Sequence, residues 1–285
     1  YVCRVPMRDD PTTANNIWHL TIAYNGANYA GWQIQSVERT VQGEIQRRLC
    51  RLFRDDELTV AGTSRTDAGV HALDQHLSFI PANNAGMVPE RLREIMNRWL
   101  PADIRVRDAS IEHGDFHARY SSTAKAYVYA VHNGSCCSPF AAPFMWDMGY
   151  ELDIGRMRAA AAHLVGTHDF AALSAKPKRE VPSTIRTIHR LEVIHEPPHF
   201  YFIVIGDSFL YKMVRTLAGY LVLEAGRNPG WDPSDIDKLY ASRVRPPHLQ
   251  TAPPQGLFLM KVFFDEDGWR DYEPSLPPQQ TWTDI

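Results

Sequence analysis

The spacing of the apolar residues changes from every second position to every third or fourth and back, repeatedly, and this limits the folds open to the chain. Trp18, Leu20, Ile22 and Tyr24 share one face of an alternating stretch from Ile17 to Tyr24, the pattern of a half-buried strand. Asn25-Gly26 then supplies turn chemistry. Val41, Ile45, Leu49, Leu52 and Phe53 recur at helical spacing behind Thr40, a suitable capping residue. A strand from Leu58 to Ala61, a loop from Gly62 to Gly69 and a strand around Gln75 to Ile80 follow. Pro89 opens a second helix with Leu92, Ile95, Met96, Trp99 and Leu100 on one face, and Ile104 to Ala109 forms another strand. The order is β-α-β-β-α-β, a split βαβ arrangement.

The second half follows the same rhythm loosely. Tyr127 to His132 alternates as a strand. Asp153 caps a helix that buries Met157, Ala160, Ala161 and Leu164 and ends at Gly166. Strands are expected at Ile188–Ile194 and Phe200–Ile205. A longer helix carries Leu210, Val214, Leu217 and Leu221 and stops before Gly226. Asp232-Pro233 starts a short helix, and Leu257 to Phe264 is the last strand. The pattern predicts an α+β (mixed α/β) protein of two βαββαβ-like halves sharing a central antiparallel sheet. The expected divisions are a flexible leader at 1–16, an N-terminal half at 17–115, a C-terminal half at 116–264 and a flexible tail at 265–285. The leader is rich in Asp, Thr and Asn, the tail in Pro and Gln.

Composition narrows the function less. The net charge of -3 gives no support for a nucleic-acid partner, yet basic residues can gather on one face. Candidate clusters are Lys176, Lys178, Arg179, Arg186 and Arg190, then Arg227, Arg243 and Arg245. No apolar run approaches the roughly 20 residues of a membrane span, and the start lacks a signal-peptide pattern. Cys3, Cys50, Cys136 and Cys137 form no C-x-x-C pair, so reduced thiols and no metal site are expected.

The loop Ser64-Arg65-Thr66-Asp67-Ala68-Gly69-Val70-His71-Ala72 carries the chemistry. Small residues let it turn sharply between two strands. Arg65 and Asp67 flank one residue, so both can point to the same side of an extended loop. A carboxylate beside a guanidinium is favoured in its charged form and can serve as nucleophile or general base. A structural Asp–Arg pair that pins the turn is the alternative.

The run Arg65-Thr66-Asp67-Ala68-Gly69-Val70-His71-Ala72 resembles the signature of the tRNA pseudouridine synthase A family. Tyr24-Asn25-Gly26 with Tyr29-Ala30-Gly31-Trp32-Gln33 resembles the family's opening strand and turn, and Thr40-Val41-Gln42 its first helix. Phe116-His117-Ala118-Arg119 and Thr123 to Tyr129 resemble its central strand. Gly166-Thr167-His168-Asp169-Phe170, Phe209 to Arg215, and Thr251 to Leu257 complete the likeness, which runs in order over residues 17 to 264. Ser64 departs from bacterial members, which usually have Gly there, and is more usual in eukaryotic relatives.

The resemblance implies a pseudouridine synthase fold and an isomerase that converts uridine to pseudouridine in the anticodon stem-loop of tRNA, at positions 38–40. It implies Asp67 as nucleophile, Arg65 as its partner and an aid in extruding the base, and Arg215 as a second positive neighbour. Tyr127, with Tyr129 as its rival, would stack on the uracil; a core role is the alternative for either. Leu257 would pack against the uracil or belong to the core. His71 and the turn-like His168-Asp169 are expected to be structural, with an RNA-backbone contact open to His71. No cofactor is implied. The expected partner is tRNA, bound by a homodimer through Lys176–Arg190, Arg119, Lys125 and Arg243–Arg245, with no membrane association. The expected location is cytoplasmic, or organellar or nuclear for a eukaryotic source. A non-catalytic RNA-binding or RNA-folding protein of the same fold, and an Asp-dependent N-glycoside hydrolase, are the rival readings.

Overall fold

In the computed structural model, Trp18, Leu20 and Ile22 are fully buried on one side of the first strand, β1 (Ile17–Tyr24), as their alternation predicts. The structure describes residues 16–84, 86–176 and 181–277. The expected leader therefore lies outside the described residues except for residue 16, as does the tail beyond 277. The chain continues through α1 (Val41–Phe53), β2 (Ala61–Gly62), β3 (His71–Phe79), α2 (Pro89–Trp99) and β4 (Ile104–Glu112). Then come β5 (Ala124–His132), β6 (Trp146–Asp147), α3 (Ile154–Leu164), β7 (Gly166–Asp169), β8 (Ile185–Glu196) and β9 (His199–Gly206). Helices α4 (Met213–Gly219) and α5 (Ser234–Ser242) and strand β10 (Leu257–Phe263) complete it. Thr40 and Asp153 cap α1 and α3, their side chains accepting from the Gly43 and Arg156 amides.

Among the described residues the strands form one sheet in the order β4-β1-β3-β10-β5-β9-β8-β7, with β2 beside β3 and β6 beside β5. The sheet is mixed, a correction to the antiparallel expectation. β10 enters between β3 and β5; its antiparallel pairing with β5 leaves it parallel to β3. β6 also pairs parallel with β5. One face of the sheet, including Leu20, Ile22, Leu77, Tyr129 and Phe202, packs against Ile45, Leu92, Met157 and Leu217 of the helices. The other face, around Val128, Tyr201, Ile203 and Phe258, is covered by Met145 and by Trp269, Tyr272 and Leu276. Residues expected to belong to the tail thus pack on the sheet, because three of them are large and apolar. Every residue of β5 is buried, as befits a strand covered on both faces.

Three elements differ from the sequence pattern for identifiable reasons. The stretch Leu58–Ala61 pairs only at its end, in β2. Leu58 and Val60 are buried as the pattern requires, but glutamines take the backbone groups of Val60. Gln42 Nε2 donates to its carbonyl at 2.9 Å and Gln46 Oε1 accepts from its N–H at 3.3 Å. His168-Asp169 is no turn but half of the edge strand β7, opposite Arg186 and Ile185. The helix expected to include Leu210 starts at Met213, after Lys212 takes a left-handed φ of 57°, and continues as a π-helical turn over Tyr220–Gly226. Gly219 lies where a Cβ would stand 2.3 Å from the Gln250 carbonyl oxygen, so its lack of a side chain lets segment 250–252 press onto α4.

The seam between β3 and β10 is short, with only Phe258↔His71 and Leu259↔Ala72 in register. Buried Asp74 extends it. Its Oδ2 accepts from the Val262 N–H at 3.0 Å and from His76 Nε2 at 3.0 Å, with Lys261 Nζ at 3.3 Å. His76 leads on to His19 at 2.7 Å, and His19 to Glu112 at 3.1 Å, so one polar chain runs from β4 to β10. Burial alone would raise the Asp74 pKa, but the hydrogen bond and charge of His76, with Val262 and Lys261, hold it below the usual carboxylate value. A lowered pKa adds stability above the unfolded value, about 3.9, and that stability is lost as pH falls through the folded one. Asp74→Ala, which strands the Val262 N–H and His76, should cost about 3–5 kcal/mol in urea unfolding at neutral pH. The milder Asp74→Asn should lower the midpoint less, and its gap from the wild type should close as the titration is repeated at falling pH.

Candidate active site

The loop between β2 and β3 is fixed by backbone groups before any catalytic side chain is considered. Gln75 brackets Ser64, its Oε1 accepting from the Ser64 N–H at 3.1 Å and its Nε2 donating to the Ser64 carbonyl at 2.6 Å. Thr66 points inward and shares a hydrogen bond of 2.8 Å with the Tyr24 hydroxyl. The Trp32 N–H donates to the Thr66 carbonyl at 3.1 Å. The Val70 N–H closes a turn onto the Asp67 carbonyl at 3.2 Å. Gly31, at φ +96°, backs onto this turn so closely that a Cβ would lie 2.7 Å from the Thr66 carbonyl oxygen. Residues 24–33, whose motif accompanies the loop motif in sequence, form the bed on which the loop rests.

On this bed Asp67 meets Arg215 of α4, 148 positions away in sequence, with Nη1 donating to Oδ2 at 2.7 Å. Arg215 is held from both ends: its Nε donates to the Ala252 carbonyl at 2.8 Å, and its own carbonyl accepts from the Ala252 N–H at 3.0 Å. Charge-assisted hydrogen bonds of this length are among the stronger ones and fix orientation as well as charge. The side chains retain 11% and 21% exposure for Arg215 and Asp67, so solvent reaches the carboxylate. Among the described residues Oδ1 of Asp67 accepts no hydrogen bond. A positioned carboxylate with one oxygen clamped and the other open suits a nucleophile or a general base.

Arg65 is not the partner that spacing suggested. It is exposed, and among the described residues it makes no ion pair. Alternation does put Arg65 and Asp67 on the outer side of buried Thr66, but the chain turns at Asp67, and the guanidinium it meets comes from α4. Tyr127 does lie by the loop: it is buried, its hydroxyl donates to Ser64 Oγ at 3.3 Å, and Phe209 packs edge-on at 5.3 Å. Its pKa is pushed up to about 12, mainly by burial, with the Asp67 charge adding to the shift, so it stays a phenol. Tyr129 is core: its hydroxyl donates to the Pro253 carbonyl at 2.8 Å and its ring stacks on Phe202. Leu257 is buried opposite Tyr129 at the start of β10. His71 is buried, accepts at Nδ1 from the Gly26 N–H at 3.1 Å, and burial pushes its pKa down to about 4; it serves the loop's bed. His168 stacks on Tyr240, with ring centroids 4.4 Å apart.

Several basic residues nominated from sequence are engaged within the chain. Arg190 pairs with Glu192 at 2.7 Å and Glu273 at 3.1 Å, Arg243 with Asp169 at 3.1 Å, and Arg245 donates to Thr216, Thr251 and Leu249. Arg227 lies over the Tyr150 ring at 3.8 Å. Lys125 is buried, donates to Ser122 at 3.0 Å, and burial lowers its pKa to about 8. Arg119 remains exposed over exposed Tyr120, and Lys176 is exposed. Lys178 and Arg179 lie outside the described residues. Sequence reasoning missed Gln75 and Ala252. Gln75 had little signal of its own, since β3 also carries His71, Asp74, His76 and Ser78, although a buried amide must find partners. Ala252 was marked only by lying in the Thr251–Leu257 run that resembles the family, because it acts through its backbone.

A mixed sheet with a clamped, solvent-reached aspartate in the loop between two of its strands frames an enzyme-like site; sequence comparison supplies the family. The sequence model of the tRNA pseudouridine synthase family matches residues 20–121 and 160–265. The chain is 38% identical over 250 residues to tRNA pseudouridine synthase A of Lacticaseibacillus casei (strain BL23), covering 87% of this chain and 99% of that protein. It is 34% identical over 252 residues to tRNA pseudouridine synthase A 1 of Protochlamydia amoebophila (strain UWE25), covering 88% and 97%. Among solved structures, an archaeal box H/ACA sRNP Nop10–Cbf5 complex is a distant likeness, with 10% identity, a TM-score of 0.34, and coverage of 72% of this chain and 43% of that one.

The chain belongs to the tRNA pseudouridine synthase family, whose members are isomerases. Among the described residues no helix is long and apolar enough to cross a membrane. Gly31→Ala should cost roughly 1–3 kcal/mol through backbone strain alone, read as a lowered thermal midpoint. It should also disturb the Asp67 turn. Ala27→Gly, at an exposed position of the same bed, should leave the fold and turn intact.

Proposed function

We propose that this protein isomerises uridine to pseudouridine in the anticodon stem-loop of tRNA, with Asp67 as the nucleophile. The observation that carries the reading is the Asp67–Arg215 pair, 2.7 Å long, which fixes one carboxylate oxygen and leaves the other open. The reaction breaks the bond from uracil N1 to ribose C1′, turns the base, joins C1′ to uracil C5, releases the C5 proton to solvent and returns a proton to N1. Electrons and atoms balance within the nucleotide, so no cofactor is required. Two routes suit Asp67: attack on C1′ with uracil as the leaving group, or addition to the uracil ring. In either, Arg215 keeps the carboxylate oriented as charge moves off it.

The base must leave its stack to reach Asp67, at a cost of a few kcal/mol. Arg65, exposed beside Asp67 in sequence and without an ion pair among the described residues, is free to enter the RNA and help extrude it. Tyr127 and Leu257 form the apolar floor. Phe209, perpendicular to the Tyr127 ring with centroids 5.3 Å apart, lies beside that floor. Exposed Arg119 and Lys176 are the phosphate contacts of this reading, and a homodimer presents the basic surfaces of two chains to one tRNA while each chain keeps its net charge of -3.

Unmodified tRNA tritiated at uracil C5 tests the proposal. The wild type should release tritium to water. Asp67→Ala and Asp67→Asn should release none while still binding the tRNA in a filter assay. Free uracil among the products would indicate a glycoside hydrolase instead. Binding without release by the wild type, on every tRNA tried, would leave an RNA-binding protein.

A further inference from the structure

The far end of β5 from Lys125 carries a second cluster that the reaction does not use. His132 closes that strand, Asp147 lies in β6 directly beside it, and Cys137 sits in the loop between them. One potential ligand atom from each lies within 4.8 Å of the others. His132 is buried, and its Nδ1 lies 2.7 Å from Asp147 Oδ1. Cys137 is half-buried and forms no disulfide, whereas its neighbour Cys136 is exposed. His199 pairs directly opposite His132 in β9, with ring centroids 5.4 Å apart, and stands beside the cluster.

We propose that His132, Cys137 and Asp147 form a zinc site that ties the loop after β5 to the sheet. A thiolate, an imidazole and a carboxylate match the ligand preferences of Zn²⁺, while Mg²⁺ and Ca²⁺ favour oxygen ligands only. Zinc bonds of about 2.0–2.3 Å in a tetrahedron set neighbouring ligand atoms about 3.3–3.8 Å apart. To reach that spacing the His132–Asp147 contact, now 2.7 Å, must open by roughly half an ångström, and Cys137 already lies within 4.8 Å of both. Asp147 has 55% of its side chain exposed and can make this adjustment, while buried His132 stays fixed by the strand. Binding replaces the Cys137 thiol proton, which passes to solvent. Water or His199 fills the fourth position.

The loop so anchored matters to the rest of the molecule. Between Cys137 and β6 it carries Phe144, whose ring packs on His71 at 5.2 Å and Phe258 at 6.4 Å, on the seam strands next to the Asp67 loop. The spacing of the cysteines in sequence concealed this arrangement, because the ligands come from two strands and an intervening loop.

Cobalt alone is the probe. The full chain, stripped with a chelator and kept reduced, is titrated with Co²⁺ and followed by visible and near-ultraviolet absorption. One equivalent should produce tetrahedral ligand-field bands and a thiolate-to-cobalt band, both removed by Zn²⁺, and Zn²⁺ should raise the thermal midpoint. Cys137→Ala should abolish the thiolate band and the thermal shift and weaken zinc binding by about 100-fold. Asp147→Asn, at an exposed position, should weaken binding by about 10-fold or more and keep the thiolate band. Cys136→Ala should match the wild type. Absence of stoichiometric binding, a thiolate band that survives Cys137→Ala, or one lost in Cys136→Ala would overturn the site.

Discussion

The ion pair between Asp67 and Arg215 is the contact on which the functional account depends, because neither half of the chain supplies it alone. Asp67 comes from the turn between two N-terminal strands, and Arg215 from a helix that follows β9. The two meet only because β10 enters the sheet between β3 and β5 and the segment before it, 250–252, lies against α4. Ala252 clasps Arg215 through both of its backbone groups, so the segment that leads into β10 also aims the arginine.

The weak point of such an arrangement is the seam itself. Two residue pairs in parallel register are little to join two halves, and the sequence meets this with polar groups rather than more ladder. Asp74 binds β10 from within β3, and the histidines behind it connect that contact to β1 and β4. A buried carboxylate is costly unless every partner is in place, so this chain of contacts favours one register over its neighbours. On the opposite face Trp269, Tyr272 and Leu276 cover the strands that meet at the seam. Rigidity at the loop is thus drawn from elements spread over most of the described chain.

Much of this was legible in the sequence, and the failures follow physical lines. Period two and period 3.6 patterns located β1, α1, α2, β9 and β10 because each buries one face or is covered on both. Leu58 to Ala61 misled because its side chains obey the strand pattern while glutamines, not a neighbouring strand, satisfy its backbone. The parallel seam could not be read, since apolar alternation carries no information about strand direction. At the site, the loop motif pointed to Asp67, and resemblance pointed to Arg215 and Tyr127, all of which lie around one turn. Local spacing failed for Arg65: two residues on the same side of a chain do not touch once the chain turns between them. His132, Cys137 and Asp147 were invisible to any rule of spacing, because strand pairing brings two of them together.

The single-turnover rate of pseudouridine formation by Arg215→Met, with protein in excess over tRNA and binding measured in parallel, bears most directly on this account. An arginine that holds the reacting carboxylate predicts a rate lower by about 100-fold or more, with tRNA affinity changed only a few-fold. A rate equal to that of the wild type, from a variant that folds and binds tRNA normally, would contradict it.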